Sequence, residues 1–340
     1  MSHVTVSIII PAHNALPFII ETLQALQDQQ LESGISLEVS IRDDASTDGT
    51  YEASLEYLEK HWTRGPFVIS RSEECCGAGK SRNVAVAQST GAFLCFNDAD
   101  DVSVPTRVAE QLRLWTKTGN DNQLVGSKFV RDPPDATWHY ASFLNSLSHE
   151  DLKLKSFREL TLIQSTWFMS RRLFTFLNGY VEGILGEDLE LFHRILDVPD
   201  IALHRCDEPL VIYRHLSGSL SAKTHRKELV RIRAKAFERR VLSRPSWEKF
   251  SVWGAGRDGR SFFEALDLEF KKRILEYVDV DSNKINSGFH HSGFIIPVRH
   301  VNLVKKPFVV CVAMGRTGGE LERNIVATGA QEGVEYFHFI

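Results

Sequence analysis

Asp98, Asp100 and Asp101 put three carboxylates within four positions, directly after the apolar run Phe93-Leu-Cys-Phe96. Like charges repel, and the repulsion grows where apolar neighbours exclude water. Such a cluster either holds a cation or builds a solvated turn. An Asp-x-Asp beyond a buried strand offers the hard oxygen ligands that Mg²⁺ and Mn²⁺ take, and these ions complete their shells with substrate phosphates. The alternative is a turn with capping aspartates ahead of Pro105. A second acidic pair, Glu187-Asp188, precedes Leu189, Phe192 and Leu196, whose spacing is helical. The pair thus falls in a first helical turn, where the dipole favours a carboxylate. It serves there as a helix cap or as a proton acceptor.

The elements that must position these groups alternate along the chain. Residues 4–10, 37–44, 67–70 and 92–96 read as strands, and 17–30 and 78–89 as helices, with a further helix opening at Asp48-Gly49. Strand–helix alternation at this pitch predicts an α/β fold, a parallel sheet with helices on both faces. Ligands of such sheets lie beyond the carboxyl ends of the strands. Asn14, Asp43, Asp44 and Asp98 all stand at that edge, each where an apolar run stops.

The chain has 340 residues, 43% hydrophobic and 25% charged, enough for one large domain or two smaller ones. Five cysteines without metal-type spacing fit a reducing compartment better than a disulfide framework. The first residues read as a strand broken at Pro11 and not as a leader, and no stretch approaches a membrane span, so a cytoplasmic enzyme is expected. Net charge is −4, unevenly spread. Residues 222–246 carry nine Lys/Arg against two Glu, or +7, residues 247–340 balance at 0, and 1–221 hold −11.

Five segments occur in order at reasonable spacing: PAHN (11–14), RDDASTDGT (42–50), GAGKSRNVA (77–85), NDADD (97–101) and GEDLELF (186–192). Together they resemble the inverting glycosyltransferases of family 2, over about residues 4–220. The resemblance implies the GT-A fold, a Rossmann-like mixed sheet with helices on both faces. It implies donor contacts from Pro11, Ala12, His13 and Asn14, from Asp43 or Asp44 on the uracil edge, from Lys80 and Arg82, and from Asp98 on the ribose. Asp100 would face a Mn²⁺ or Mg²⁺ ion, with His215 as a further metal or diphosphate contact, and Asp101 would cap the next turn. Asp188 would be the general base, with Glu187 beside it and Trp167 stacked on an acceptor ring. For Trp167 a core position is the alternative. A binding protein without turnover is opposed by the retention of Asp98, Asp100 and Asp188.

Near residue 245 the pattern restarts as strand, Gly-rich turn and helix. Gly254-Ala-Gly-Arg-Asp-Gly259 followed by Asp279 is a dinucleotide-binding layout. About ninety-five residues are too few for a complete cofactor domain with its chemistry, so a small Rossmann-like module with a structural or binding role is expected, not a working nicotinamide oxidoreductase. Between the two lies a basic helix with Leu229, Ile232, Ala236 and Phe237 on one face and Lys227, Arg231, Lys235 and Arg239 at every fourth position on another. Like charges at that spacing destabilise an isolated helix, and a polyanion reverses the effect. The expected domains are 1–221 (catalytic), 222–246 (basic helix and linker) and 247–340 (Rossmann-like). This layout resembles that of soluble transferases acting on queuosine in tRNA, which implies UDP-galactose as donor and tRNA as acceptor.

Overall fold

The computed structural model describes residues 4–216, 224–315 and 318–340. The chain forms two compact units, Met1–Leu152 with Thr161–Lys223 and Lys153–Leu160 with Thr224–Ile340. Among the described residues, no helix is long and apolar enough to cross a membrane.

In the first unit β1 (Val4–Ala12), α1 (Leu16–Gln27), β2 (Ile35–Asp43), α2 (Thr50–His61), β3 (Phe67–Arg71), α3 (Ala78–Ala87) and β4 (Phe93–Phe96) alternate as the sequence predicts. There follow β5 (Val102–Ser103), α4 (Arg107–Thr118), β6 (Gln123–Asp132), β7 (Phe168–Ser170), α5 (Glu187–Leu196) and β8 (Ala202–Arg214). The sheet order is β3-β2-β1-β4-β7-β6-β8-β5. β1 to β4 are parallel, while β7 runs against both β4 and β6, so the sheet is mixed. Val6, Ile8, Ile9 and Ile10 are wholly buried. Consecutive apolar residues suit a central strand covered on both faces. β4 joins the parallel and the mixed halves, and the acidic turn leaves its carboxyl end.

In the second unit the helix α6 (Arg226–Phe237) leads through a wider turn over Glu238–Leu242 to β9 (Phe250–Trp253), α7 (Arg257–Ala265) and β10 (Ile274–Asp279). A hairpin of β11 (Phe289–His291) and β12 (Phe294–Ile296) precedes β13 (Val298–His300), β14 (Phe308–Val310), α8 (Glu320–Ala327) and β15 (Tyr336–His338). The five-stranded sheet, β13-β10-β9-β14-β15, is parallel throughout. Its order reverses between β9 and β14.

The basic helix, expected as a separate linker, is part of this second unit. Val230, Ala234, Ala236 and Phe237 are buried. The Phe237 ring meets Phe157, Trp247, Phe262 and Phe339 edge-on at 4.9–5.9 Å. Phe157 explains why the short segment 153–160 belongs here too. The buried face is turned from the expected one, since Leu229 and Ile232 are only half-buried. The expected boundary at 221–222 lies outside the described residues.

Candidate active site

The acidic turn rests on a buried polar platform. Asn97 donates its amide to Ile9 O of β1 at 3.0 Å, and its Nδ2 donates to the carbonyls of Asp98 and Asp101. Its Oδ1 accepts from Ser103 and from Arg107, a cation with no exposed surface whose Nη2 donates to Phe96 O at 2.7 Å. Arg107 comes from α4, so strand and helix together fix the turn. Nothing in the sequence marked it, because a lone Arg in a helical pattern reads as surface.

Arg82, on α3, is buried between two carboxylates. It donates Nη2 to Asp98 Oδ1 at 2.7 Å and Nη1 to Glu187 Oε1 at 2.9 Å. Its guanidinium lies 5.5 Å from the centre of the Tyr180 ring. Its partners lift Arg82 further above its already high range despite burial. Asn83 exchanges two hydrogen bonds of 2.9 Å with the backbone of Tyr180, and Gln164 donates to the Tyr180 hydroxyl at 3.0 Å. Arg82, expected on the donor, thus ties the acidic turn to the start of α5. Glu187, expected to face an acceptor, is held by the same cation.

Asp188 stands next to that pair. Its Oδ1 accepts from the Leu189 amide at 2.7 Å. Burial, with Glu187 beside it, pushes the Asp188 carboxyl up to about 6. A carboxylate poised there is ionised at neutral pH yet basic enough to take a proton.

Asp100 is likewise pushed up to about 6, by burial and then by Asp98. Among the described residues its carboxylate has no ion-pair partner. Asp101, expected as a turn cap, is fully buried and takes the Arg214 amide on Oδ1 at 3.0 Å, while its Oδ2 has no partner. Arg214, at the end of β8, also donates to Asp100 O at 2.8 Å and pairs with Glu21 and Asp132. It latches β8 to the turn, whereas sequence reasoning had singled out its neighbour His215. That side chain is exposed at the same strand end. Asp98 is paired with Arg82, so Asp100 is the carboxylate of the turn left to meet a hard divalent ion, and His215 is exposed at the adjoining end of β8.

At the carboxyl ends of β1 and β2, His13 Nδ1 lies 2.6 Å from Asp44 O, and Asn14, in the left-handed region at φ 50°, accepts from the Thr47 amide. Pro11 and Ala12 close β1. Asp43 Oδ2 pairs with Arg71 at 3.2 Å, while its buried Oδ1 lacks a partner. Asp44 takes the amides of Cys76 and Gly77 at 2.8 and 2.9 Å and both neighbouring thiols. Burial raises this carboxyl, but the four donors outweigh it and hold it below its usual range. Asp44 therefore latches the 72–77 loop, leaving Asp43 as the carboxylate of the pair with an unused oxygen. Lys80 is exposed on the first turn of α3.

Two expectations fail. Trp167 has no exposed surface: its Nε1 donates to Leu162 O at 2.8 Å and its ring stacks on Phe192 at 6.1 Å, so it belongs to the core and not to an acceptor wall. Lys235 does not present a free charge. It pairs with Glu238 at 2.9 Å and Asp267 at 2.7 Å within its own unit. Lys227, Arg231 and Arg239 are exposed.

Residues 7–176, half of the chain, match the model of glycosyl transferase family 2, and the chain belongs to that family. It is 38% identical over 96 residues to the poly(ribitol-phosphate) beta-N-acetylglucosaminyltransferase TarS of Staphylococcus aureus, covering 28% of this chain and 16% of that protein. It is 30% identical over 107 residues to the UDP-Glc:alpha-D-GlcNAc-diphosphoundecaprenol beta-1,3-glucosyltransferase WfaP of Escherichia coli, covering 32% and 39%. The chain thus spans well under half the length of these curated relatives. A crystal structure of S. aureus TarS 1–349 with UDP-GlcNAc superposes with a TM-score of 0.51 at 21% identity, over 69% of this chain and 66% of that one. That likeness establishes the GT-A fold. The chain is thus a member of glycosyl transferase family 2 with a GT-A fold.

Proposed function

We propose that this enzyme moves a hexose from a UDP-sugar to a hydroxyl with inversion, using Asp188 as general base. The observation that carries this reading is Asp188 itself, held by the Leu189 amide, raised to about 6, and joined through Glu187 and Arg82 to Asp98. Asp188 takes the acceptor proton as the hydroxyl oxygen attacks the anomeric carbon. Single displacement converts an α-linked donor to a β-linked product. Asp43 faces the base, Pro11–Asn14 border the nucleotide, Asp98 meets the ribose, and Lys80 meets the diphosphate. Asp100 and His215 would hold Mn²⁺ or Mg²⁺, which when bound supplies positive charge for the departing diphosphate. Arg82 acts as a positioning residue, since both its ends are engaged.

For the finer assignment, UDP-galactose is the donor and a queuosine hydroxyl in tRNA the acceptor. The +7 stretch at 222–246 and the exposed Lys227, Arg231 and Arg239 support a polyanionic acceptor. A second reading is transfer of N-acetylglucosamine to a galactose-containing glycan, and the similarity to TarS, which takes N-acetylglucosamine to poly(ribitol-phosphate), favours it as to the sugar alone. Incubation with Mn²⁺, separate UDP-sugars, and either total tRNA or galactose-terminated glycans, with products analysed by mass, decides between them. A hexose on the queuosine nucleoside is the expected product. N-acetylhexosamine on the glycan would replace that assignment with the second, and no transfer to any acceptor hydroxyl would defeat both.

A further inference from the structure

The second unit contains a cavity of about 450 Å³ at the carboxyl ends of its parallel strands. Its walls come from Trp253, the last residue of β9, and Gly254 beyond it, from Asp279, the last of β10, and Lys284 beyond it, and from Val312 after β14. The sheet order reverses between β9 and β14, and open α/β sheets take ligands at such a switch point. The volume suits one small molecule of nucleotide size. No role in sugar transfer involves this cleft.

The three glycines of the turn separate fold from ligand. Gly254 has φ +107°, and a Cβ there would lie 2.7 Å from Val312 Cγ2. A Cβ on Gly259 would lie 1.9 Å from Gly254 O. Both are required by the fold. Gly256 is not. Its φ of −88° and ψ of −156° suit any residue, and the only atom near an added Cβ is Lys284 Nζ at 3.8 Å. A side chain there would stand in the cavity, so the glycine keeps open the approach to the first turn of α7.

Charges of both signs line the cavity, Arg257 and Lys284 against Asp258, Asp279 and Glu320, so the fit to a ligand turns on where each one stands. No side chain caps α7, whose first amides face the space beside Gly256. The one acid of that turn, Asp258, is neutralised by Arg226 at 2.9 Å and Arg257 at 3.1 Å. Asp279 accepts from Ala255 N at 2.9 Å and from Lys284 at 3.0 Å. A ribose diol donating to Asp279 would free Lys284 to meet a phosphate. Val280, Val312 and Leu321 supply an apolar wall for a base.

We infer that the second unit binds a nucleoside phosphate in this cleft, its phosphate against Gly256 and Lys284 and its ribose on Asp279. The inference does not rest on the transfer reaction. The test is calorimetric titration of the full chain with ADP while saturating UDP fills the catalytic unit. One ADP site per chain is expected. Gly256→Val should weaken ADP binding by at least about tenfold with the melting temperature and UDP affinity unchanged, since it fills the cavity without strain. Should that variant melt early, Lys284→Gln read in the same way decides the matter. Adenosine should bind more weakly than ADP, and Lys284→Gln should not alter its affinity. Absence of ADP binding, ADP affinity indifferent to both substitutions, or adenosine binding as tightly as ADP would overturn the inference. A failure of UDP to bind would strike the donor assignment alone and leave the ADP result standing.

Discussion

Asp188→Asn is expected to lower kcat by about 10²–10⁴-fold, the usual loss for a general base, with UDP affinity kept. Single-turnover kinetics beside calorimetry checks this, and a variant within tenfold of wild type would remove Asp188 from the role. The raised carboxyl sets a pH profile. Asp188 must be ionised to act, so kcat/KM should fall tenfold per pH unit below about 6 and level off above it. Glu187 contributes to the raised value, so Glu187→Gln should shift the acid limb to lower pH, and an unmoved limb would break the assignment. Arg82→Met leaves the half-buried Asp98 and Glu187 without their cation, and the loss should read as a lower melting temperature together with weaker UDP binding. Much of this site was legible in the residues themselves. Asp98, Asp100 and Asp188 could be read because carboxylates beside apolar runs are conspicuous. Arg82 was visible as a cation, but its bridging role needs two segments about a hundred residues apart to meet. Trp167 was ambiguous by nature, since the same ring stacks equally well on a sugar or on Phe192.

The strands and helices of the catalytic half were legible because their apolar runs and turns are local. β7, only three residues long, was invisible to any periodicity, so the mixed character of the sheet came from the family resemblance and not from the apolar runs. The acidic turn depends on the Arg214 latch at the end of β8. Asp100→Ala should weaken UDP-sugar binding and abolish the effect of added Mn²⁺ on it. Arg214→Ala should weaken donor binding too, but leave its Mn²⁺ dependence, because the carboxylates remain. Donor titrations with and without metal distinguish the two. Lys235 is engaged by two carboxylates, so the charge test is set on Lys227 and Arg231 of α6 and Arg239 of the turn that follows, all three exposed. Replacing these three by Gln should reduce the salt slope of tRNA binding by up to about three, one per lost phosphate contact, with melting unchanged. A constant slope would leave the tRNA assignment without this helix. The buried face of α6 was misjudged because the apolar Leu229 and Ile232 were counted toward it, whereas Val230, Ala234 and Phe237, at i, i+4 and i+7, are the side that packs.

At the scale of the chain, residues 153–160 belong to the second unit although they interrupt the first. Phe157 is 3% exposed, and two of the rings that cover it are Phe237 and Phe337. A chain ending at residue 223 should therefore be less stable than the whole protein and bind a hydrophobic dye, whereas an unaltered melt would show that segment to be dispensable to the first unit. Translation imposes the same condition on every copy of the protein. The polypeptide leaves the ribosome in sequence order, at about 5–20 residues per second. Phe157 emerges roughly 180 residues before Phe337, so for about 10–35 s a nascent chain carries an aromatic side chain whose shelter has not yet been made. The folding of the segment at 153–160 is thus tied to the synthesis of the other half, and it completes only when Phe337 has emerged.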